Sequence, residues 1–490
     1  MCSFGDARSL QVAGIFVHEK EQGMEICAVV MAAGDGKRMN SKNSKVVHQV
    51  AGKPIIKWVS DALCDVGCME QVYIVGDRQE QIRQVLGENV AYVIQEQRLG
   101  TGHAVMQAAP FLEGRDGYTI VLPGDSPMVS AKTIQSALDM AATDEFAAVL
   151  ITAIAPDATG YGRIVRGGTG DVLKIVEHRD ASSKELEIDE INSSMYVFKT
   201  SLLLSALGRI SSANAQNEYY LTDTIEILIN DGYRVGACVC DFDDTRGVND
   251  RFQLMEASKI INKRIIRKHL DRGVQIVDDS NTWIHSGVEI GRDTIILPGC
   301  TLTGNTVIGE DCVIGENTRL DSVQVGDGTE IDSSIASECI IGEDCRIGPF
   351  SHIRPDTVLR DHVTIGAYVE VKNSTIDDYT RARHLTYIGD STVGKNVNFG
   401  CGTVTCNYDG QDKAGCVIED NVFIGGNSNI VSTVVLGKDS YIAAGSTITN
   451  DVPPLGLAIG RSKQVVKEEW VARKNRLRGS NFIQLDRKRI

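Results

Sequence analysis

The residues best placed to do chemistry in this chain stand where apolar runs end. Ile26-Cys27-Ala28-Val29-Val30-Met31 is continuously apolar, the pattern of a strand buried on both faces. It leads straight into Ala32-Ala33-Gly34-Asp35-Gly36-Lys37-Arg38-Met39. Small residues and glycines directly after a strand let backbone N–H groups close on a phosphate, and a helix N-terminus there would add its dipole. The turn is not the dinucleotide fingerprint, because Met39 replaces the third glycine, and it is not a P-loop, which needs Gly-Lys-Ser/Thr. A plain strand–helix turn is the competing reading. Asp125 follows a second apolar run, Tyr118 to Leu122. A carboxylate there can hold a hard cation beside a phosphate, or it can cap a helix through Asp125-Ser126-Pro127. In the second half, His384 offers an imidazole, whose ordinary pKa near neutrality suits a general base. A lone histidine is more often structural.

These residues need elements to position them. Pro54 to Val66 has helical apolar spacing, Gln71 to Val75 reads as a strand and Gln79 to Leu86 as a helix. The alternation predicts a doubly wound α/β sheet, whose ligands sit at the carboxyl ends of the strands, where Ala32–Arg38 and Gly124-Asp125 both fall. From Asn249 to about Arg272, Phe252, Met255, Ile260, Ile261 and Ile265 approximate helical spacing, which predicts a linker helix with a solvated basic face.

Beyond it, an aliphatic residue recurs every sixth position. Ile290, Ile296, Leu302, Ile308, Ile314 and Leu320 form one series; Ile341, Ile347, Ile353, Leu359, Ile365 and Val371 a second; Ile424, Ile430, Leu436, Ile442 and Ile448 a third. A six-residue repeat predicts a parallel β-helix in which each hexad lays down one short strand, its aliphatic residue pointing inward. The glycine that often follows, as at Gly291, Gly309 and Gly342, suits a tight corner because it lacks a Cβ. The period breaks at Arg381–Tyr387 and at Gly402–Gly415, and insertions in a repeat array map to loops on one face, often the binding face.

Composition bounds the rest. At 490 residues the chain holds two or three domains. A net charge of −15 argues against nonspecific attraction to nucleic acid or anionic membrane. Thirteen cysteines, scattered and without a CxxC, read as reduced thiols of a cytoplasmic protein. No apolar run reaches membrane-spanning length. Residues 1–23 read as a disordered extension or an upstream start, with the folded protein beginning near Met24.

Met31-Ala32-Ala33-Gly34-x-Gly-x-Arg38-Met39 with Lys45-Val46, and Gln95-x-x-x-Leu99-Gly100-Thr101-Gly102-His103-Ala104, resemble the signatures of sugar-nucleotide pyrophosphorylases. Gly160-Tyr161-Gly162-Arg163-Ile164, Ile175-Val176-Glu177-His178, Glu190-Ile191-Asn192 and Gly247-Val248-Asn249 continue the match. With the hexads, residues 24–470 resemble the bacterial bifunctional uridylyltransferase/acetyltransferase family, which makes UDP-N-acetylglucosamine, a precursor of peptidoglycan and lipopolysaccharide.

The resemblance implies a uridylyltransferase domain over 24–248, a linker helix over 249–273, a left-handed β-helix acetyltransferase over 274–461 and a basic arm over 462–490. In the first domain Met31, Ala32, Ala33, Gly34, Lys45, Gln95, Gly100, Thr101, Gly124, Asp125, Gly162, Glu177, Asn192 and Asn249 would bind UTP and the sugar nucleotide. Arg38 and Lys45 would serve catalysis as cations, and Asp125 with Asn249 would hold Mg²⁺. In the second, His384 would be the base for acetyl transfer, and Arg354, Lys372, Tyr387 and Asn398 would bind glucosamine 1-phosphate. Cys401, Asn407, Tyr408, Gly426, Ala444 and Arg461 would contact acetyl-CoA, the co-substrate. The family is a homotrimer with acetyltransferase sites between subunits. This chain departs from the family pattern at Ser44, usually Pro, at Cys401, usually Ala, at Gly426, usually Ser, and at Arg383, usually smaller. Two other readings compete: a single-activity sugar-1-phosphate nucleotidyltransferase with a structural β-helix, and a non-catalytic assembly protein built on the same folds. The retained Arg354, Lys372, His384, Asn407 and Tyr408 argue against the first, and Arg38, Lys45, Asp125 and Asn249 against the second.

Overall fold

The computed structural model describes residues 25–478 apart from 35, 144, 169, 215 and 216. The extension expected over 1–23 and the last part of the basic arm lie outside the described residues. The chain divides into two compact units between Ile265 and Ile266.

The first unit is a doubly wound α/β layer. Its main sheet runs Val235–Cys240, Ala148–Ile154, Glu190–Lys199, Tyr118–Pro123, Ile26–Met31, Glu70–Val75, Ala91–Ile94. Neighbours are parallel except at Glu190–Lys199, which is antiparallel to both of its neighbours. Ala28, Val29, Val30, Val72, Ile74, Ile120 and Val121 are fully buried, which is why these runs carry no polar alternation. From Ile26–Met31 the chain moves out to Glu70–Val75 and Ala91–Ile94, then returns to the opposite side with Tyr118–Pro123. The order reverses there, so a crevice opens at the carboxyl ends of these strands.

Two expectations change here. Lys37–Met39 is a single 3-10 turn, so the glycine turn offers backbone N–H groups but no helix dipole. Helix Ala131–Ala141 is capped by Ser130, whose hydroxyl accepts from the Thr133 N–H, so Asp125 caps nothing and is released for other work.

Helix Arg251–Leu270 buries Ala257 and Ile261, with Leu254, Ile260 and Ile265, against the first unit's core. Phe252 and Met255 are exposed instead of joining that stripe. Their spacing from Ile261 fits a helix face only loosely, and Leu254 and Ala257 take the inward positions.

The second unit is a left-handed parallel β-helix of three sheets with 11, 10 and 9 strands. Each aliphatic series visits the three sheets in turn. Ile296, Ile314, Ile331, Ile347 and Ile365 therefore stack in one sheet, and Leu302, Leu320, Ala336, Ile353, Val371 and Ile388 in the next. The glycines are needed for their missing Cβ, where one coil passes close to the next. Gly291 is not in a left-handed conformation; a Cβ there would meet the Gly309 carbonyl of the next coil at 2.5 Å. The left-handed corners are carried by residues such as Asp311 (φ 57°) and Asn317 (φ 58°), types that tolerate this region. A second inward position holds small residues, among them Thr294, Cys300, Thr306, Cys312 and Thr318, all fully buried. Their polar atoms bond the neighbouring coil, as when the Thr294 hydroxyl donates to the Gly309 carbonyl at 2.8 Å.

His269, near the end of the Arg251–Leu270 helix, is buried, and among the described residues its Nδ1 has no partner. Burial, with Lys268 and Arg272 nearby, pushes its pKa down from 6.5 to about 4 despite the opposing Glu289. The native imidazole is neutral, so the unfolded chain takes up a proton below pH 6.5 that the fold refuses until about pH 4. The stability it withdraws grows as pH falls through that window, reaching about 2 kcal/mol between pH 7 and pH 5. Urea unfolding of His269→Gln at the two pH values is expected to lose that part of the acid sensitivity.

Candidate functional site

In the first unit the residues beyond three adjacent strands converge. The Gly124 N–H donates to the Met31 carbonyl and the Ala32 N–H to that of Ile74, both at 2.8 Å, which locks the strand ends together. The Val248 N–H donates to the Asp125 carbonyl at 2.8 Å and so brings Asn249 beside Asp125. Into this gap reaches Lys45. Its Nζ pairs with the Asp125 carboxylate and donates to Asn249 Oδ1 at 3.0 Å. Gly36, in left-handed backbone, lies against Lys45; a Cβ there would stand 2.8 Å from the lysine's own Cβ. Ala32, Ala33 and Gly34 line a small cleft with Ser44, Gly76, Asp77, Arg78 and Arg98. Arg38 is exposed on the 3-10 turn Lys37–Met39.

A larger cavity of about 880 Å³ is lined by Met31, Thr101, Glu177, Ser194, Tyr196 and Tyr220, among others. Burial, reinforced by Asp180 and Asp223, raises the Glu177 pKa above its ordinary value. Asn192 is buried where the Glu190–Lys199 strand bulges. Its N–H donates to the Gly162 carbonyl at 2.9 Å and its Nδ2 to the Tyr196 hydroxyl at 2.9 Å. Gln95 and Thr101 are engaged within the fold: Gln95 Nε2 lies 3.1 Å from His103 Nδ1, and the Thr101 hydroxyl accepts from the Leu221 N–H at 3.1 Å. Gly100, at φ 107°, passes so close to Tyr219 that a Cβ would strike its carbonyl.

In the β-helix the candidate residues fall along two neighbouring edges. The strand pairing of Ala382, Phe399, Ile424 and Ile442 places His384, Cys401, Gly426 and Ala444 one above the other on one edge. Cys401 is exposed; its carbonyl accepts from the Asn427 N–H at 2.7 Å, and Arg461 lies beside Gly445 in the last coil. Asn398 lies on the face leading to this edge, between Arg381 and Phe423. His384 is exposed, and among the described residues no hydrogen bond engages its imidazole.

On the other edge stand Arg354, Lys372 and Asn407. Lys372 Nζ donates to both oxygens of Asp390 at 3.1 and 3.3 Å, Asn373 donates to it at 2.8 Å, and Asn407 Nδ2 closes on the same carboxylate. Asn407 also donates to the Tyr387 hydroxyl at 3.2 Å. Burial opposes the Asp390 charge, yet Asn373, Lys372 and Asn407 together hold its pKa below the usual carboxylate value. Arg354 pairs with Glu370 at 2.8 Å, one coil away from this cluster. Tyr408 is exposed on a loop closed by its pairing with Lys413.

The two expected insertions differ. Arg381–Tyr387 is no loop: Arg381–His384 and Tyr387–Gly389 are strands of consecutive sheets, and Ala382 fills the inward position. A small residue at that position hid the hexad. The true excursion begins only after Val404–Cys406, whose Thr405 is inward and fully buried. Asp390, Gln81 and Arg78 escaped the sequence reading, since each bonds residues remote in the chain; Tyr196, which bonds Asn192 in its own strand, escaped it too.

Three family models match the chain: the MobA-like NTP transferase domain over residues 28–165, the GMPPB C-terminal domain over 279–376 and the bacterial transferase hexapeptide (six repeats) over 415–450. The bifunctional protein GlmU of Acetivibrio thermocellus is 48% identical over 454 residues, spanning 92% of this chain and 98% of the relative. That of Geobacillus sp. strain WCH70 is 49% identical over 447 residues, 91% and 97% of the two chains. That of Clostridium botulinum strain Langeland is 46% identical over 453 residues, 92% and 99%.

Proposed function

The chain belongs to the GlmU family of bifunctional uridylyltransferase and acetyltransferase enzymes, and on that premise we propose which residues carry each reaction. The observation that carries the reading is the Lys45 ammonium held between Asp125 and Asn249 at the strand ends.

In the first unit, a phosphate oxygen of N-acetylglucosamine 1-phosphate attacks the α-phosphorus of UTP, and the bond to the departing pyrophosphate breaks in line. Such transfer asks the protein for positioning and charge neutralisation more than for covalent work. Backbone N–H groups of Ala32–Gly34 cradle phosphate, Lys45 and Arg38 supply cations, and Gln95, Gly100 and Thr101 read uracil. Met31 and Gly124 shape the floor, while Gly162, Glu177 and Asn192 hold the sugar. Asp125 and Asn249 suit Mg²⁺: their hard oxygens already converge on a cation, and no cluster of three or more acidic, His or Cys ligands competes among the described residues. A bound Mg²⁺ would neutralise charge on the phosphates.

In the second unit, His384 removes the proton as the amine of glucosamine 1-phosphate attacks the acetyl-CoA thioester and coenzyme A leaves as thiolate. Arg354, Lys372, Tyr387 and Asn398 bind the sugar phosphate. Cys401, Asn407, Tyr408, Gly426, Ala444 and Arg461 line the coenzyme's path. His384 and the Lys372–Asp390 cluster occupy different edges of one prism, which supports a homotrimer that completes each site across subunits. The enzyme acts in the cytoplasm on small molecules; among the described residues no helix is long and apolar enough to cross a membrane.

Mass spectrometry of the full chain with glucosamine 1-phosphate, acetyl-CoA, UTP and Mg²⁺ tests this. UDP-N-acetylglucosamine is the expected product. Accumulation of N-acetylglucosamine 1-phosphate removes the first reaction from the reading. If neither product forms, and preacetylated sugar phosphate also gives no UDP-sugar, both assignments fall.

A further inference from the structure

Lys45 has no regular element to hold it. It opens a 3-10 turn, Lys45–Val47, at the end of an irregular stretch after Asn40. Two side chains from another part of the fold fasten that stretch. Gln81, on helix Gln79–Leu86, accepts the Ser44 N–H through Oε1 at 2.7 Å. Arg78, just before the same helix, donates to the Asn43 carbonyl at 2.8 Å and to that of Ser41 at 3.3 Å. Ser44 is buried, with φ −57° and ψ 142°. That is the polyproline region a proline ring would impose, yet serine does not impose it by itself.

We infer that Gln81, with Arg78, is a positioning residue for uridylyl transfer: it clamps the backbone at Ser44 and so holds the Lys45 ammonium on Asp125 and Asn249. The inference rests on the reading of Lys45 as a residue of that reaction. The lysine has long, flexible reach, and its aim depends on a fixed Cα. Gly36 limits that Cα on one side, the Gln81 bond on the other. Misplacing a catalytic cation by a fraction of an ångström loses rate without unfolding anything. Gln81 touches no substrate position; its effect passes through Ser44.

The conformation at Ser44 supplies an unusual test, because a second residue type can replace the clamp. Gln81→Met keeps side-chain length and helix propensity while removing the acceptor. In the full chain this variant is expected to lower uridylyl kcat/KM about tenfold, with acetyl transfer and thermal unfolding at parental values. Adding Ser44→Pro fixes φ without needing a donor, so Ser44→Pro/Gln81→Met is expected to recover uridylyl transfer to within about threefold of the parent. Amide exchange of a peptide covering 40–48 gives a readout independent of activity: the Ser44 amide is slow in the parent and fast in Gln81→Met. Parental turnover in Gln81→Met, or a loss that Ser44→Pro leaves unrepaired, overturns the inference. A parent that protects the Ser44 amide but has no uridylyl activity overturns the reading of Lys45 itself, and the exchange result still decides the clamp.

Discussion

Lys45→Met is expected to lower uridylyl transfer by two to three orders of magnitude, roughly 10²–10³-fold, while acetyl transfer by the same chain stays at parental turnover. The lysine side chain is 11% exposed and its carboxylate partner 20%, so the pair lies at the edge of solvent, in the crevice where the sheet order reverses. A cation there meets developing phosphate charge in a partly dehydrated setting, and electrostatic stabilisation is strongest where water is scarce. The structural cost is smaller. Removing the ammonium leaves Asp125 with Asn249 as neighbour but without a counter-ion, which costs about 1 kcal/mol for a pair that water still reaches. Loss of rate without loss of fold is therefore the expected signature. Steady-state kinetics of both reactions on one preparation check it, and equal loss of both activities would point to misfolding. Lys45→Arg is a useful companion: it keeps the charge, but the planar fork cannot occupy the compact position between two oxygens, so only partial recovery is expected.

Long-range placement explains both what was legible in the sequence and what was not. The hexads were legible because every coil repeats one inward position, and Ile296, Ile314 and Ile331 report the same environment each time. The repeat vanished from view where Ala382 and Thr405 took that position, since neither counts as aliphatic, yet both are fully buried in the stack. The strand ends carrying Ala32 and Asp125 were legible because burial on both faces leaves a continuous apolar run. The helix stripe was not: Phe252 and Met255 fit a periodic pattern, and packing selected Leu254 and Ala257 instead. Periodicity names a face without saying which residues of a loose pattern the core will accept. Asp390 and Gln81 had no local signal at all. Each works as an acceptor for groups 17 or more residues away, a relation visible only once the chain is folded.

His384→Ala carries the complementary expectation. Acetyl transfer falls by about 10²–10⁴-fold, the usual contribution of one positioned base, and uridylyl transfer from preacetylated sugar phosphate is unchanged. The imidazole stands exposed on an edge of the prism, directly before Cys401, Gly426 and Ala444 in the stack. Its backbone is fixed by strand pairing with Ala367 and by the Thr386 hydroxyl, which donates to the His384 carbonyl at 2.8 Å. Truncating an exposed side chain on a coil held by its backbone leaves the stack intact, so thermal unfolding should not move. His384→Gln separates the two ways the residue can act. Glutamine keeps a hydrogen-bonding side chain but cannot take up a proton at neutral pH. If His384 only orients the amine, glutamine recovers much of the rate; if it removes the proton, glutamine stays as slow as alanine. The second outcome is expected. It would be read as a fall in kcat with little change in the KM for acetyl-CoA, because coenzyme binding is assigned to Asn407, Tyr408, Arg461 and the stacked edge and none of these is altered.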